Sequence, residues 1–404
     1  MFMFFFFFTD ETNNAKSSPT FDGVNLQLTA NKGEWSELYT LYKLLVDQNL
    51  FPIAKDQKIN ERLRMPILSI LRYTEENLGA EYRIDSEGDC IQINANGHGV
   101  IEIKKHYFDE HASKLLDAIK QSSKKGSFSI PCLDDFRKRT CCPKIKCHPK
   151  KLPNGDYDKS DLYIVIHDAT TGQTPKLGFS IKSELGNPPT LLNASSLTNF
   201  RYRLSHNLPQ EKVTEINSML ARNGSEDIQG RVRSIIKAGA SLEFDIINPN
   251  KRGEYVFMEN LSLVDSSMPD ILAHLLVLSY IEDTKLLNVL TNRLTALNPL
   301  HFRMQTNTKH YEAKVKRFIT DVALGLTPGK PWEAAHQAAG VLVVTEKGEI
   351  DCYHVIYKAS LEDYLYGDLK FETPSASKHG FGMIETGEDG QQYFTLNLQL
   401  RFIK

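Results

Sequence analysis

Residues 161–183, DLYIVIHDATTGQTPKLGFSIKS, decide the fold, because two apolar runs flank a segment rich in turn-forming residues. That pattern is typical of a β-hairpin. In the second run, period-two alternation places Ser180 and Lys182 on one face and Phe179 and Ile181 on the other. A lysine within a short apolar strand needs a partner, since lysine is almost never fully buried alone. The hairpin therefore predicts a sheet with a charged site on it.

Composition limits the classes of protein that fit. The chain has 404 residues, enough for a large core, and a formal net charge of −2, so it is not basic overall in the way of a histone. Its six cysteines do not make a disulfide scaffold, which favours a reducing compartment. The opening run MFMFFFFF lacks a basic flank, and no later segment is apolar for the length of a membrane span. We expect no membrane segment.

Outside the hairpin, the order of patterns is mixed. Helical spacing follows Asn31 as a possible cap, and alternating segments surround the turns at Gly88 and Gly97. Further helices are predicted at 109–121, 211–221, 229–238, 268–297 and 311–324, and β-like runs at 340–345, 351–357 and 392–403. Without an even βαβα alternation, this order predicts an α+β fold with a mixed sheet flanked by helices.

The predicted division of the chain has two parts. Residues 1–20 are expected to be a disordered tail, and residues 21–404 a single unit. Within that unit, a first part spans about 30–205, and a helical part with C-terminal strands spans about 206–404.

Asp161 opens one strand and Lys182 lies toward the end of the next, so hairpin pairing brings them to the same edge of the sheet. A carboxylate that holds Mg²⁺ and a lysine that orients the attacking water suit phosphodiester hydrolysis. An ion pair that only closes the hairpin fits the same spacing, and spacing alone favours that simpler interpretation.

The segment 137–151, RKRTCCPKIKCHPKK, has seven basic residues and no acidic one, as a phosphate-binding strip would. A solvated basic loop is the alternative. The candidate DNA-binding residues of this segment are Arg137, Lys138, Arg139, Lys144 and Lys146. The cysteines of this segment and His148 lack the paired spacing of a structural zinc site, and we interpret them as small packed side chains.

The string TLLNASSLTNFRY is rich in small hydroxyl and amide groups, which contact phosphates and base edges in DNA complexes. Its candidate DNA-binding residues, with one just beyond, are Asn193, Ser195, Thr198, Asn199, Arg201 and Arg203. A loop that caps the next helix is the alternative.

SDLYIVI followed by GFSIKS resembles the signature of the PD-(D/E)XK nucleases, with Asp161 at its first acid and Lys182 at its lysine. Longer strings, in the same order from Asn31 to Phe402, resemble the HpaII-like type II restriction endonucleases. These strings are NKGEWSELYTLYKLL, KSDLYIVIHDATTG, LGFSIKSELGNPPTLLNASSLTNFRY, ALGLTP, CYHVIY and LNLQLRF.

The resemblance implies Mg²⁺-dependent, site-specific cleavage of double-stranded DNA in the bacterial cytoplasm, on a sheet of the PD-(D/E)XK type. It makes the part at about 30–205 the catalytic core and the helical part at about 206–404 the region that grips DNA. It also implies a DNA methyltransferase that protects the host, and it makes CCGG a candidate target. A palindromic target is most simply met by a homodimer, and a monomer that acts on each strand in turn is the alternative. A repair or junction-resolving nuclease and a non-catalytic DNA-binding protein are the alternatives.

The signature has an acid where this chain has Ser180, whose hydroxyl can ligate a cation but carries no charge. Glu184 shares the face of Lys182 but lies past it. Glu34 falls within the apolar arc of the first predicted helix, where a carboxylate needs a cation or hydrogen-bond donors. The spacing to Asn31 also fits a capping box. We favour Glu34 over Glu184 as the acid that joins Asp161 at the metal.

Overall fold

The structure is a computed structural model, and it describes residues 28–54, 58–59, 64–73, 78–85, 87–95, 99–124, 126–146, 158–168, 171–303 and 308–403. The predicted tail, residues 1–20, lies outside the described residues, as do Cys147 and His148. The fold is α+β, as predicted. In the described part of the chain it contains a nine-stranded mixed sheet, three smaller sheets and eleven α-helices.

The helices are α1 (Lys32–Asp47), α2 (Lys105–Gln121), α3 (Asp134–Arg139), α4 (Gln210–Asn217), α5 (Ile228–Lys237), α6 (Val256–Val264), α7 (Met268–Ile281), α8 (Leu287–Leu297), α9 (His310–Leu324), α10 (Lys358–Asp368) and α11 (Ala376–His379). The strands are β1 (Asn49–Leu50), β2 (Ile53–Ala54), β3 (Lys58–Ile59), β4 (Met65–Tyr73), β5 (Leu78–Ile84), β6 (Cys90–Ala95), β7 (Ile101–Lys104), β8 (Leu162–Ile166), β9 (Lys176–Ser183), β10 (Thr190–Leu192), β11 (Asn199–Leu204), β12 (Leu242–Ile247), β13 (Gly340–Val344), β14 (Ile350–His354), β15 (Leu369–Phe371), β16 (Ile384–Thr386), β17 (Gln392–Asn397) and β18 (Leu400–Phe402).

The large sheet has the order β14-β13-β9-β8-β4-β5-β6-β7, and β1 also pairs with β4. The predicted hairpin is confirmed, since β8 and β9 are antiparallel with Leu162 opposite Phe179. On the other side of β9 lies β13, which is parallel to it and places Val343 beside Lys182. The central strand β9 is thus paired with a local neighbour and with a strand from far along the chain.

Helix α1 covers one face of this sheet. Its apolar side, with Trp35 and Tyr42 fully buried, packs with α2 and the inward side chains of β4, β8 and β9. The buried hydroxyls of Ser36 and Ser183 lie 2.8 Å apart and join α1 to the end of β9. This contact fixes the first turn of α1 beside the end of the strand that carries Lys182.

A second core covers the opposite face at β13 and β14. It contains Val341 and Val343 and extends through α5–α10 and the small sheets built from β10–β12 and β15–β18. No single described helix is long and apolar enough to cross a bilayer, although α6 and α7, bent by 103° at their junction, reach that length and composition as a pair. The proposed division near residue 205 stays a prediction, but the large sheet takes β13 and β14 from beyond it.

Several sequence predictions need correction. The helical stretch 268–297 is two helices, α7 and α8, because the chain leaves the helix at Glu282 with extended dihedral angles. The C-terminal run is divided between β17 and β18, which belong to different sheets. The strand predicted at 351–357 ends at His354, where the chain turns into α10. The sequence did not predict the strands β1–β4, β10–β12, β15 and β16.

Candidate active site

Asp161 lies where the chain enters β8, and its carboxylate is held against β9. Oδ2 accepts a hydrogen bond from the backbone amide of Ile181 at 2.7 Å and one from the Ser180 hydroxyl at 3.2 Å. Both donors hold the carboxylate in one orientation. Oδ1 accepts no hydrogen bond from the described residues. One oxygen of Asp161 is therefore fixed by β9, and the other has no hydrogen-bond donor among the described residues.

Lys182 borders an open cavity of about 620 Å³ at the end of β9. The N-terminus of α1, the segment after α2 and the basic loop at Lys146 form the other walls. The charged side chains of the cavity, besides Lys182, are Lys32, Glu34, Glu37, Lys124 and Lys146. Ile181, which donates its amide to Asp161, also borders it. The hairpin thus brings the predicted acid to the backbone beside the lysine, although Asp161 itself is not part of the cavity wall.

Glu34 has two partners at the mouth of this cavity. Oε2 accepts the Asn31 backbone amide at 3.0 Å, and the Asn31 side chain accepts the Glu34 amide, so the capping box considered from the spacing is present. Oε1 forms an ion pair with Lys146 Nζ at 3.2 Å. The Glu34 carboxylate therefore caps α1 and also borders the cavity.

The other candidates for the missing acid lie differently. Glu184 is not part of the cavity wall; its Oε2 accepts the backbone amide of Glu346 at 3.1 Å. Its charge also helps raise the pKa of Asp351, after burial and the charge of Glu349. Ser180 is 1% exposed and donates to Asp161, so its hydroxyl orients the acid. Geometry thus favours Glu34 over Glu184.

Arg72 holds the backbone of the basic loop after α3, residues 141–146. This arginine is 5% exposed, and its guanidinium donates to the carbonyls of Cys141, Lys144 and Lys146 at 3.4, 2.6 and 2.8 Å. Three bonds from one buried cation fix the loop backbone, while the side chains of both lysines extend outward and are exposed. The loop is therefore a fixed support for exposed cations.

Arg137 does not belong to that exposed set. It is 3% exposed, pairs with Asp134 at 3.0 Å, and donates to the carbonyls of Cys142 and Pro143. The basic composition of 137–151 predicted that Arg137 binds DNA, but its guanidinium is buried and bonded to groups of the protein itself. Its neighbours Lys138 and Arg139 are exposed.

Part of the polar string after β10 is also structural. Ser195 caps a short 3₁₀ turn, and Thr198 and Asn199 are buried, with Thr198 donating to the Ser195 carbonyl and Asn199 to the His379 carbonyl. The capping alternative is thus present. Asn193 is exposed.

Arg201 and Arg203 project outward from β11 toward acids on β12. They form ion pairs with Asp245 at 2.6 Å and Glu243 at 2.9 Å. Exposed pairs of this kind are weak, so these arginines can exchange their partners for phosphates.

The described acids do not form a closed metal site. No group of three His, Cys, Asp or Glu side chains among the described residues is placed to hold a metal ion. Mg²⁺ is commonly held by one or two carboxylates, with water and substrate phosphate completing its shell. Oδ1 of Asp161 is a donor of that type, and it is oriented by the bonds to Oδ2.

Sequence reasoning missed three charged residues of the cavity. Glu37 follows Glu34 by three positions, which places both on one face of α1. Lys32 lies in the same first turn, whereas Lys124 follows α2, and only tertiary structure brings it here. The i,i+3 spacing could have identified Glu37; no local signal identifies Lys124.

Comparison with known proteins gives a consistent assignment. A model of the HpaII restriction endonuclease family matches residues 31–402. The chain is 40% identical over 378 residues to the type II restriction enzyme HpaII of Haemophilus parainfluenzae, which covers 93% of this chain and 99% of that protein. No solved structure matches.

Proposed function

The chain belongs to the HpaII restriction endonuclease family and is a type II restriction endonuclease, and from that premise we propose that it hydrolyses DNA with Mg²⁺ at Asp161 and Lys182. The observation that carries this proposal is the position of the Asp161 carboxylate, which accepts hydrogen bonds from Ser180 and Ile181. Ile181 directly precedes Lys182, which borders an open cavity. The family assignment replaces the two alternative functions.

Each residue has a role that follows from its chemistry. A bound Mg²⁺ supplies positive charge that stabilises the phosphoryl oxygens. Asp161 provides an oriented oxygen ligand, and the Lys182 ammonium orients the attacking water and the phosphate by donating hydrogen bonds. The Ser180 hydroxyl keeps Asp161 in place. This set is the PD-(D/E)XK arrangement with serine at the second acid.

Glu34 is the proposed second acid. It lies in the cavity with Lys182, whereas Glu184 accepts a backbone amide outside the cavity wall. We assign Glu34 to the metal or its water shell. Glu184, which the sequence also offered as a ligand, is the matched comparison.

The family supports further proposals on the substrate and the setting. The relative is HpaII, and we propose CCGG as the target, a homodimer as the unit that meets its symmetry, and a cytoplasmic pairing with a DNA methyltransferase. The exposed cations proposed to hold the phosphates are Lys138, Arg139, Lys144, Lys146, Arg201 and Arg203. Asn193 is proposed as a polar contact at the same duplex.

The test is digestion of a sequenced plasmid with Mg²⁺ or with EDTA, followed by sequencing of the ends. Discrete fragments ending at CCGG only with Mg²⁺ support the proposal, and cleavage in EDTA contradicts the metal dependence. Across a Mg²⁺ titration, Glu34→Gln is expected to cut poorly because glutamine keeps the cap but loses the charge. Glu184→Gln is expected to match the wild type; the reverse result would transfer the role to Glu184.

A further inference from the structure

The ion pair between Lys146 and Glu34 lies within the proposed catalytic cavity. The distance from Nζ to Oε1 is 3.2 Å, and the two side chains are 52% and 26% exposed. Because the opposite oxygen of Glu34 accepts the Asn31 amide, the carboxylate is oriented by the helix while it contacts the lysine. The pair therefore has a fixed side, Glu34, and an accessible cation.

The backbone beneath this lysine is fixed as well. The buried Arg72 donates to the carbonyls of both Lys144 and Lys146, which holds the loop against the sheet. The side chain of Lys146 can therefore change partners without movement of the loop. A phosphate that enters the cavity meets a cation whose position is already limited to a small volume.

The charges of the cavity suit such an exchange. Among the described residues, the cavity wall contains four lysines and two carboxylates, which are Lys32, Lys124, Lys146, Lys182, Glu34 and Glu37. An exposed lysine–carboxylate pair is worth little, so a DNA phosphate competes with it readily.

We propose that Lys146 is a phosphate-binding residue that Glu34 holds in the cavity of the free protein and releases when DNA binds. Glu34 thus occupies the place of the phosphate before DNA arrives, and its carboxylate becomes available to a cation only in the complex. This inference rests on the proposed function, because it takes DNA as the occupant of the cavity.

A double-mutant cycle on DNA affinity tests the exchange. Affinity for a duplex with the target site is measured in EDTA at several salt concentrations for the wild type, Glu34→Gln, Lys146→Met and the double variant. Glu34→Gln is expected to bind about two- to fivefold more tightly, since Lys146 loses its competitor. Lys146→Met is expected to bind more weakly, with a salt slope smaller by about one.

The double variant decides between two explanations. If the exchange operates, Glu34→Gln brings no gain in the Lys146→Met background. Direct repulsion between Glu34 and the phosphate would leave the gain intact there, and that result would overturn the proposal. Lys124→Met is the matched control, because Lys124 borders the cavity without an ion pair to Glu34, so the gain should persist in its background.

Failure of this inference is distinguishable from failure of the proposed function. The cycle is measured without metal and reports binding alone, whereas the proposed function is read from Mg²⁺-dependent cleavage by the wild type. Equal affinity of Glu34→Gln and the wild type, with unchanged melting temperatures, would also overturn the exchange. A gain that disappears only with Lys146→Met supports it.

Discussion

Replacement of Asp161 by asparagine and by alanine separates its chemical role from its structural one. In the wild type, Oδ2 of Asp161 lies 2.7 Å from the Ile181 amide nitrogen and 3.2 Å from the Ser180 hydroxyl. In Asp161→Asn, the side-chain amide oxygen can still accept both hydrogen bonds. We expect little change in stability. Asp161→Ala leaves the Ile181 amide without its acceptor, and a buried unsatisfied donor costs about 1–3 kcal/mol. The alanine variant should therefore be less stable than the asparagine variant by about that amount.

Cleavage should respond equally to both changes. Each removes the charged oxygen ligand, and loss of several kcal/mol of transition-state stabilisation corresponds to about 10³-fold or more in rate. Specific binding in EDTA should stay within about tenfold, because Asp161 acts on the metal and the reacting phosphate.

The assays are single-turnover conversion of supercoiled plasmid, urea unfolding and gel shift. Cleavage by Asp161→Asn within tenfold of the wild-type rate would refute the catalytic role. Equal stability of the two variants would refute the role of the carboxylate in holding the hairpin.

Three further predictions concern separate parts of the molecule. Lys182→Ala should abolish cleavage and keep binding within about tenfold, and a variant that cuts at the wild-type rate would reject its role. Joint replacement of Lys138 and Arg139 by glutamine should weaken binding to all duplexes and reduce the salt slope by about two. In contrast, Arg137→Gln should mainly lower the free energy of unfolding, because Arg137 is buried and paired with Asp134. Unchanged affinity of the double variant at low and high salt would show that Lys138 and Arg139 do not contact DNA. Burial lowers the pKa of His354 to about 4, so as the pH falls below the ordinary histidine pKa of about 6.5 the unfolded chain binds a proton before the folded one does. The free energy of unfolding should therefore fall by about 3 kcal/mol between pH 6.5 and 4. In urea unfolding, His354→Asn should reduce this dependence on pH, and an unchanged dependence would contradict the prediction.

The hairpin could be predicted from the sequence because its signals are local. Alternation in 177–183 gave the face of Lys182, and the turn-rich segment gave the pairing that brings Asp161 to Ser180. The capping box at Glu34 was likewise readable, since it depends on a spacing of three residues within one helix turn.

The remaining features depend on contacts between distant parts of the chain. Nothing near Arg137 indicates that its guanidinium is buried, because a basic run has the same composition whether one member faces inward or outward. Lys124 reaches the cavity only because α2 packs against α1. The pairing of β13 with β9 is also invisible to periodicity, which shows that a strand is buried but not which strand lies beside it.

That parallel pairing has a consequence for the order in which the enzyme matures during synthesis. The hairpin of β8 and β9 can form as soon as both strands have left the ribosome, but the partner of β9 on its other side is made only after the whole segment 184–339. At elongation rates of about 5–20 residues per second, that delay is on the order of ten seconds. During it, the strand that carries Lys182 has one unpaired edge, and its sheet lacks β13 and β14. A nascent chain therefore cannot complete the large sheet early, and completion of that sheet is postponed until almost the entire protein has been translated.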